Sequence, residues 1–540
     1  MKGKKSNFYF AAICKGSFFV IYILLVNLLL ISCKKQETVL RVAVSYMNEN
    51  FDPIKVYDEY FCHIKRNVFE TLLDIENGNP VPLLADNWIW YGDSLLVVNI
   101  KENVRFSNNV LMISDDIYKS FERALNHPLS VLNIYKPFID SLYVQNNQLY
   151  LYYNTIDVVF ELLSKVPIYS SSVITFFDDT TISEYPLSTG RYFLYSRAQE
   201  KIVLRKNLYH RDHSKHCVYF DVVEIYYEPD IEKQYQMLLN NEIDFIFQLP
   251  ISSYNEVFRN PDLVITEVES NSMLLMMLDS ESTNLFNENN RQENLSANPL
   301  RDRRVRRAIA HSLDTESFIQ NVLAGRANLL SIPCFLSIQG YPLNTKYYEY
   351  DVSLSKDLLK QAGFENGFEM RIKAFESMYT DAIAEFIEKS LKDINIDVVM
   401  EIVPHPASKT DISMNTSLKP SFSLSSMEGV SALIVKKETR ANASIEDILG
   451  DILYFPQTDK RGTYNIMNYA NPAIVSLLDS LYTMRFYDLA RINISETLAD
   501  LVYEEVYVIP FFQPIELFVS NKRVSFQYNE NFRFTDFCLR

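Results

Sequence analysis

Hydrophobic positions along the chain follow two different spacings. Residues 39–46 carry Val39, Leu40, Val42 and Val44 in a short apolar run and read as a buried strand. β-Branched, aromatic and alternating content marks 95–104, 148–153, 202–204 and 219–227 as further strands. The helical spacing is clearest over 382–394, where Ile383, Phe386, Ile387, Leu391 and Ile394 recur at three- and four-residue steps. Residues 231–241 place Tyr235, Leu238 and Leu239 on one side of a second helix. A third, 354–362, ends at Gly363, a residue suited to the left-handed cap position. A fourth, 473–482, follows Pro472, which suits a first helical turn. Two stretches read as loops: 280–299, rich in Asn, Glu and Ser, and 404–429, rich in Ser, Thr, Pro and Lys. Strands and helices interleave over the whole length, which makes the class mixed α/β.

The first 33 residues follow a different pattern. Lys2, Lys4, Lys5 and Lys15 form a basic head with no acidic residue, and an apolar run over 18–31 stops at Leu30-Ile31-Ser32-Cys33. Basic head, greasy stretch and small residue describe a secretory signal. The stretch is shorter than the roughly 20 residues of a membrane span. The Leu-Ile-Ser-Cys end resembles the lipobox of bacterial lipoproteins, in which the cysteine is acylated and becomes the first mature residue. Cys33 is therefore the expected lipidation site, and residues 33–38 the tether; an uncleaved anchor with an incidental cysteine is the alternative. Each buried lipid CH₂ contributes about 0.8 kcal/mol, so several acyl chains hold firmly where one would not.

At 540 residues, 48% hydrophobic and 13% aromatic, the chain can build several sizeable cores. Its formal charge of −16 becomes about −20 without the lysine-rich leader, which argues against nucleic acid as a partner. Only 12 glycines occur, and no GxGxxG or GxxxxGK can be assembled from them. Neither HExxH nor GxSxG is present, so no catalytic residue and no cofactor is assigned. Beyond the leader, Cys62, Cys217, Cys334 and Cys538 stand far apart, and sequence leaves their pairing open. His210, His213 and His216 with Cys217 are a set that could meet on a flexible loop around a divalent metal. A plain surface loop is the competing reading, and no metal is assigned. Five arginines crowd into 301–307, flanking an amphipathic stripe of Val305, Ala308, Ile309 and Leu313 that Asp302 can cap.

Several segments occur in a fixed order. Asn50-Phe51-Asp52-Pro53 follows the opening strand; Val68-Phe69-Glu70-Thr71-Leu72, then Pro82-Leu83-Leu84-Ala85 and Trp88, resemble "YExL…G…PxLAxxW". Val104-Arg105-Phe106-Ser107-Asn108-Asn109 with Ser114-Asp115-Asp116-Ile117 resembles "vxFxdG…AxDV", Asn109 replacing a glycine. Thr189-Gly190-Arg191-Tyr192, Leu204-Arg205-Lys206-Asn207-Leu208-Tyr209, and Leu239-Asn240-Asn241-Glu242-Ile243-Asp244 continue the series as "GTGPYxL…LxxNxxY" and "LxxGeiD". Asp302 to Ala308, Gln361-Ala362-Gly363-Phe364 and Asn468-Tyr469-Ala470-Asn471-Pro472 complete it. Together these resemble the extracytoplasmic solute-binding proteins of family 5, which serve dipeptide, oligopeptide and nickel ABC importers.

The resemblance implies a two-lobed periplasmic-binding-protein fold of type II, in its large three-domain form, with a hinge and a central ligand cleft. Its domains would be lobe I over 39–59, an inserted domain over 60–186, lobe I again over 187–270, lobe II over 271–498 and a return to lobe I over 499–540, after a signal peptide over 1–32. It implies a monomer outside the cytoplasm on the periplasmic side of a membrane, lipid-anchored, that captures short peptides and delivers them to a permease. Carried over by position, the ligand-binding residues are Tyr57, Asp58, Glu59, Phe247, Gln248, Ser270, Asn271, Ser272, Glu438, Phe512 and Gln513. Peptide-binding relatives place an aspartate shortly after a tryptophan in lobe II; here Glu438 stands for the aspartate and Val435 for the tryptophan. The chain's two tryptophans, Trp88 and Trp90, fall in the inserted domain. Alternative cargoes are a nickel chelate, haem or an oligosaccharide, and an alternative role is a surface lipoprotein holding envelope or host macromolecules.

Overall fold

The opening apolar run forms β1 (Val39–Val44), in which Leu40, Val42, Ala43 and Val44 are buried while Val39 and Arg41 are partly exposed. The computed structural model describes residues 37–539 except 48–49, 56–63, 77–78, 93, 155–156, 212–219, 283–297, 339, 343, 376–378, 404–429, 440–442, 456–460, 463, 485–488 and 529–531. From β1 the chain builds a unit with its own sheet. A short hairpin, β2 (Leu73–Glu76) and β3 (Asn79–Pro82), precedes β4 (Ala85–Tyr91), β5 (Leu95–Ile100), β6 (Ile139–Gln145) and β7 (Gln148–Tyr153). The last four form an antiparallel sheet in the order β4-β5-β7-β6.

The chain then returns to the strand it left. β8 (Tyr192–Ala198), β9 (Lys201–Lys206) and β10 (Val222–Tyr227) pair in series, and β10 runs parallel to β1. The short β11 (Phe245–Ile246) flanks the other side of β1, and β12 (Leu263–Glu269) follows. Next come β13 (Ser272–Leu278), β14 (Ala327–Leu329), β15 (Phe368–Phe375), β16 (Ile396–Val403) and β17 (Ala432–Glu438). The chain closes with β18 (Val508–Asn521) and the hairpin β19 (Val524–Phe526) and β20 (Phe537–Leu539).

The division into two lobes is visible in the cores. One pair of apolar clusters draws on residues before Glu269 and after Pro514; the other pair draws on residues from Met273 to Phe512. The four-stranded sheet and its helices share a continuous core with β1 and β8–β10. One strand runs through both lobes: β18 pairs β13 and β14 through Pro514 and pairs β12 and β11 from Ile515 onward. Pro510 and Pro514 interrupt its ladder, since proline donates no N–H, and the register with β13 shifts between Leu274 and Leu275. β12 and β13 make the second crossing, through Ser270 and Asn271.

The helices fall where the apolar steps put them, with ends shifted by up to two residues. Thr380–Lys392 packs Ile383, Ile387 and Leu391 inward, and Val352–Ala362 ends at Gly363 with φ of 86°. Pro472–Thr483 is capped by Asn471, whose side chain accepts from the N–H groups of Ala473 and Ile474. Asp302 caps Arg303–His311 by accepting from the Arg304 N–H. The clustered arginines serve the chain itself: Arg306 is buried and donates to the carbonyls of Leu300 and Glu505, Arg307 pairs with Glu504 at 3.0 Å, and Arg304 pairs with Asp302.

The scarcity of glycine has a structural counterpart. Seven of the ten non-glycine residues with positive φ, among those described, are asparagines. Asn109 and Asn241, at φ of 72° and 58°, occupy positions where the resembled motifs carry glycine. Asparagine enters the left-handed region more readily than other side chains, so the turns survive the replacement. Gly190 does need its missing side chain: a Cβ there would lie 2.2 Å from the Val68 carbonyl oxygen.

Candidate functional site

The two crossings between the lobes bring together residues from distant parts of the chain. Ser270 donates its N–H to the Pro514 carbonyl at 2.9 Å, and Gln513 donates from Nε2 to the Ser270 carbonyl at 2.8 Å. The Ser270 hydroxyl lies 2.6 Å from that of Ser272 and 3.2 Å from Glu516 Oε1. Asn328, on β14, donates to both Glu269 and Gln513. Ser270, Ser272 and Gln513 are almost wholly buried, and their polar atoms satisfy one another across the junction. On the lobe II side, Ser272 sits opposite Glu438 in the β13–β17 ladder, and Asn271 accepts at its carbonyl from the Thr439 N–H at 2.8 Å.

Glu438 is the exposed end of this arrangement. Its side chain is 48% accessible and lies 3.8 Å from the Lys436 ammonium group. The neighbouring Lys437 points the other way, into lobe II, where it is buried against Asp451 and stands 4.0 Å from the centre of the Tyr464 ring. Burial, with Asp451 and Glu438 nearby, pushes the Tyr464 hydroxyl up to about 12. Strand alternation explains the split: successive residues of β17 face opposite sides. β17 also has an incomplete partner. β13 covers its whole length, but β15 pairs only with Ala432, Leu433 and Ile434, leaving the β15 side of Val435–Glu438 without a paired strand among the described residues.

Two of the aromatic candidates lie inside cores. Phe512 has no accessible surface and packs on Phe318 and Tyr379, with ring centres 6.0 Å and 5.6 Å away. Phe247 belongs to a phenylalanine cluster with Phe245, Phe518 and Phe532. Their side chains pack against other protein side chains, since large apolar residues at a strand end are more stable packed than wet. Gln248 is half-buried. Tyr57, Asp58, Glu59 and Cys33 lie outside the described residues.

The histidine loop resolves in part. His210 is buried with its Nε2 3.3 Å from Glu70, and Arg211 grips the same carboxylate with two bonds of 2.7 and 2.8 Å. Burial alone would raise the Glu70 carboxyl, but Arg211 and His210 hold it well below the usual range. His213, His216 and Cys217 lie outside the described residues, as does Cys62. No group of three or more metal-ligating side chains occurs among the described residues. Cys334 is a buried thiol, pushed up by desolvation, and Cys538 is a free, half-buried one.

The segment Asn50-Phe51-Asp52-Pro53 anchors the approach to the unit beyond. Asp52 is fully buried and accepts from Arg123 Nη2 at 2.6 Å and from the Tyr169 hydroxyl at 2.5 Å. Asp179 holds the same guanidinium at 2.8 Å, and Lys55 and His127 approach that second carboxylate. Sequence reasoning missed the latch beside the crossing: Arg326 of lobe II pairs with Glu267 of β12 at 3.1 Å and lies over the Tyr254 ring. Nothing in the local sequence marks it, because its three residues come from separate elements. A surface groove of about 630 Å³ lies elsewhere, on the helix Pro472–Thr483 beside Phe455 and Asp479, and holds none of the candidate residues.

Residues 79–427 match the model of the bacterial extracellular solute-binding proteins, family 5. Heme-binding protein A of Haemophilus influenzae is 22% identical over 335 residues, covering 56% of this chain and 58% of that protein. Nickel-binding protein NikA of Staphylococcus aureus is 20% identical over 334 residues, covering 61% of this chain and 63% of its own length. The aligned part thus spans about three-fifths of each of these relatives. Over the whole fold, the periplasmic binding protein DppA of Helicobacter pylori, solved with the peptide STSA, superposes with a TM-score of 0.74 at 20% identity, covering 94% of this chain and 99% of that one. The fold is the two-lobed type II architecture of periplasmic binding proteins.

Proposed function

The chain belongs to the bacterial extracellular solute-binding proteins of family 5, and from that membership we propose that it captures short peptides between its lobes and delivers them to an ABC permease. A protein of this family binds its solute and does not transform it. The observation that carries the peptide reading is the half-open edge of β17. An extended peptide can add to a strand edge through main-chain hydrogen bonds, which are nearly blind to side-chain identity. The edge runs over Val435–Glu438 and ends on an exposed carboxylate beside the interlobe crossing, where a peptide's ammonium group would find its counter-charge. DppA, solved with a tetrapeptide, has the same fold, which supports this reading.

Cys33 acts in this account as the acylated leash that keeps the protein near its permease. The same account gives Tyr57, Asp58 and Glu59 to the ligand and sets domain boundaries at 60, 186 and 270, with the return to lobe I at Pro514 in place of 498, because Ala499, Val502 and Phe512 belong to the lobe II cores. A second reading, capture of haem or a nickel chelate, is favoured by the names of two curated relatives. A thermal-shift screen separates the two. A ligand at a hundredfold excess over Kd stabilises by about 2.7 kcal/mol. The proposal expects upward shifts with some di- to hexapeptides and a reduced shift in Glu438→Gln. Shifts with haem or nickel–histidine alone, and none with any peptide, would overturn it.

A further inference from the structure

The four-stranded sheet of the inserted unit has one face in the core and, among the described residues, the other partly exposed, with Val97 at its centre buried. Leu96, Val98, Leu149 and Leu151 point inward, so the alternate residues of each strand form the outer face. Strand registers order that face into three rows across β4, β5, β7 and β6. The middle row is Ile89, Val97, Tyr150 and Tyr143. On one side of it lie Tyr91, Leu95, Tyr152 and Ser141. On the other lie Asn87, Asn99, Gln148 and Gln145.

Three features of this face point the same way. It is aromatic and open: Tyr91 is 56% and Tyr143 40% exposed, and the Tyr143 ring stacks on Tyr150 at 4.7 Å with 8° between planes. It carries an ordered amide row: Gln148 donates to Asn99 at 2.7 Å, Asn99 donates to Asn87, and the Tyr150 hydroxyl donates to Gln148 at 2.8 Å. Each carboxamide has two N–H donors and an oxygen with two lone pairs, so these bonds fix its orientation and leave capacity facing outward. And it is uncharged: none of the twelve positions is ionisable near neutrality, in a chain that is 22% Asp, Glu, Lys and Arg with a net charge of −16. Asp86 and Asp140 sit at register shifts at the strand ends, outside the rows.

We infer that this face is a second binding surface, separate from the interlobe crossing, for a neutral glycan chain. Sugar rings offer apolar C–H faces that lie on tyrosine rings and equatorial hydroxyls that exchange hydrogen bonds with fixed amides. Lack of charge on the face matches a neutral polyhydroxyl ligand. An anionic lipid surface calls for Lys or Arg, of which the face has none, and the chain's negative charge opposes it. Four strands span about 15 Å across the sheet, room for a short run of pyranose rings along the rows. The inference does not depend on which solute the lobes capture.

The chain supplies its own reporter. Trp88 and Trp90, its two tryptophans, lie on the reverse side of β4, edge-on to Phe160, so intrinsic fluorescence reads this sheet and not the crossing. The test titrates the full chain with chitotetraose and cellotetraose. Saturable fluorescence change with either sugar is expected, with affinity lowered roughly tenfold in Tyr143→Ala and in Gln148→Ala and solute-induced stabilisation unaltered. Tyr91→Ala, at a mostly exposed position on an outer strand, gives a variant whose folding is not at issue and should weaken binding in the same direction. No saturable response to either sugar, or equal affinity in all three variants, overturns the inference. So does self-association, or capture by anionic phosphatidylserine vesicles, that Tyr143→Ala abolishes, since either result gives the face to a second copy or to a membrane.

Discussion

Replacing Asp52 with alanine should loosen the joint between the first segment of the chain and the inserted unit. Asp52 follows β1, whereas Arg123 and Tyr169, which it holds, belong to the unit beyond. Removing one partner of a buried ion pair costs about 3–5 kcal/mol, because the remaining charge stays buried without its counter-ion. Arg123 keeps Asp179 at 2.8 Å, which moves the cost toward the lower end, while the lost Tyr169 bond adds about 1 kcal/mol. The net expectation is about 3–4 kcal/mol. Followed by the fluorescence of Trp88 and Trp90, which reports the inserted sheet, urea unfolding with a slope of about 3 kcal/mol per molar should show a midpoint lowered by about 1 M. Asp52→Ala combined with Arg123→Met removes both charges and should recover much of the loss. An unchanged midpoint in the single variant, or a double variant as unstable as the sum of the two singles, would refute the reasoning.

The other predictions concern turns, acid stability and anchoring. Gly367→Ala places a methyl 1.5 Å from the Asn395 carbonyl oxygen at φ of 75° and should destabilise by more than about 2 kcal/mol, whereas Gly363→Ala, at φ of 86° with open space around it, should cost about 1 kcal/mol; equal costs in chemical denaturation would contradict this. Glu70 is held below its usual value when folded, so its contribution is complete above about pH 4.3 and disappears as pH falls through the lowered value. Glu70→Gln should therefore flatten the acid limb of a stability-versus-pH curve, and an unchanged limb counts against the role of Arg211 and His210. Cys33→Ser should leave an unprocessed precursor or release the protein from membranes, measured by fractionation and intact mass; an unaltered membrane fraction and mass would remove the lipid anchor from the account.

Local signals were the ones sequence made legible. The helix Val352–Ala362, its Gly363 cap, the Asp302 cap and the buried apolar residues of β1 all follow from periodicity and capping chemistry in short windows. What escaped depends on distant partners. β18 is a fourteen-residue strand through Pro510 and Pro514, which no local rule favours; it exists because β12, β13 and β14 line up along it. The same holds for the candidate site. Ser270, Ser272 and Gln513 converge at the crossing, yet the bond from Gln513 to the Ser270 carbonyl cannot be read from residues 243 positions apart. Phe247 and Phe512 illustrate the converse: an aromatic at a strand end is compatible with a ligand wall or a core, and both are buried among other aromatic rings. The tyrosine face was hidden for a related reason, since alternation in each strand is ordinary and only the registers assemble the rows.

Peptide capture is tested most directly by native mass spectrometry of the protein purified from its own cells without refolding. A bound population that dissociates on acid into peptides of about two to six residues, and that is depleted in Glu438→Gln, is the result expected from an open strand edge ending on a carboxylate. Recovery of a porphyrin, a metal chelate or a sugar as the sole occupant, with no peptide in wild type or variant, would contradict it.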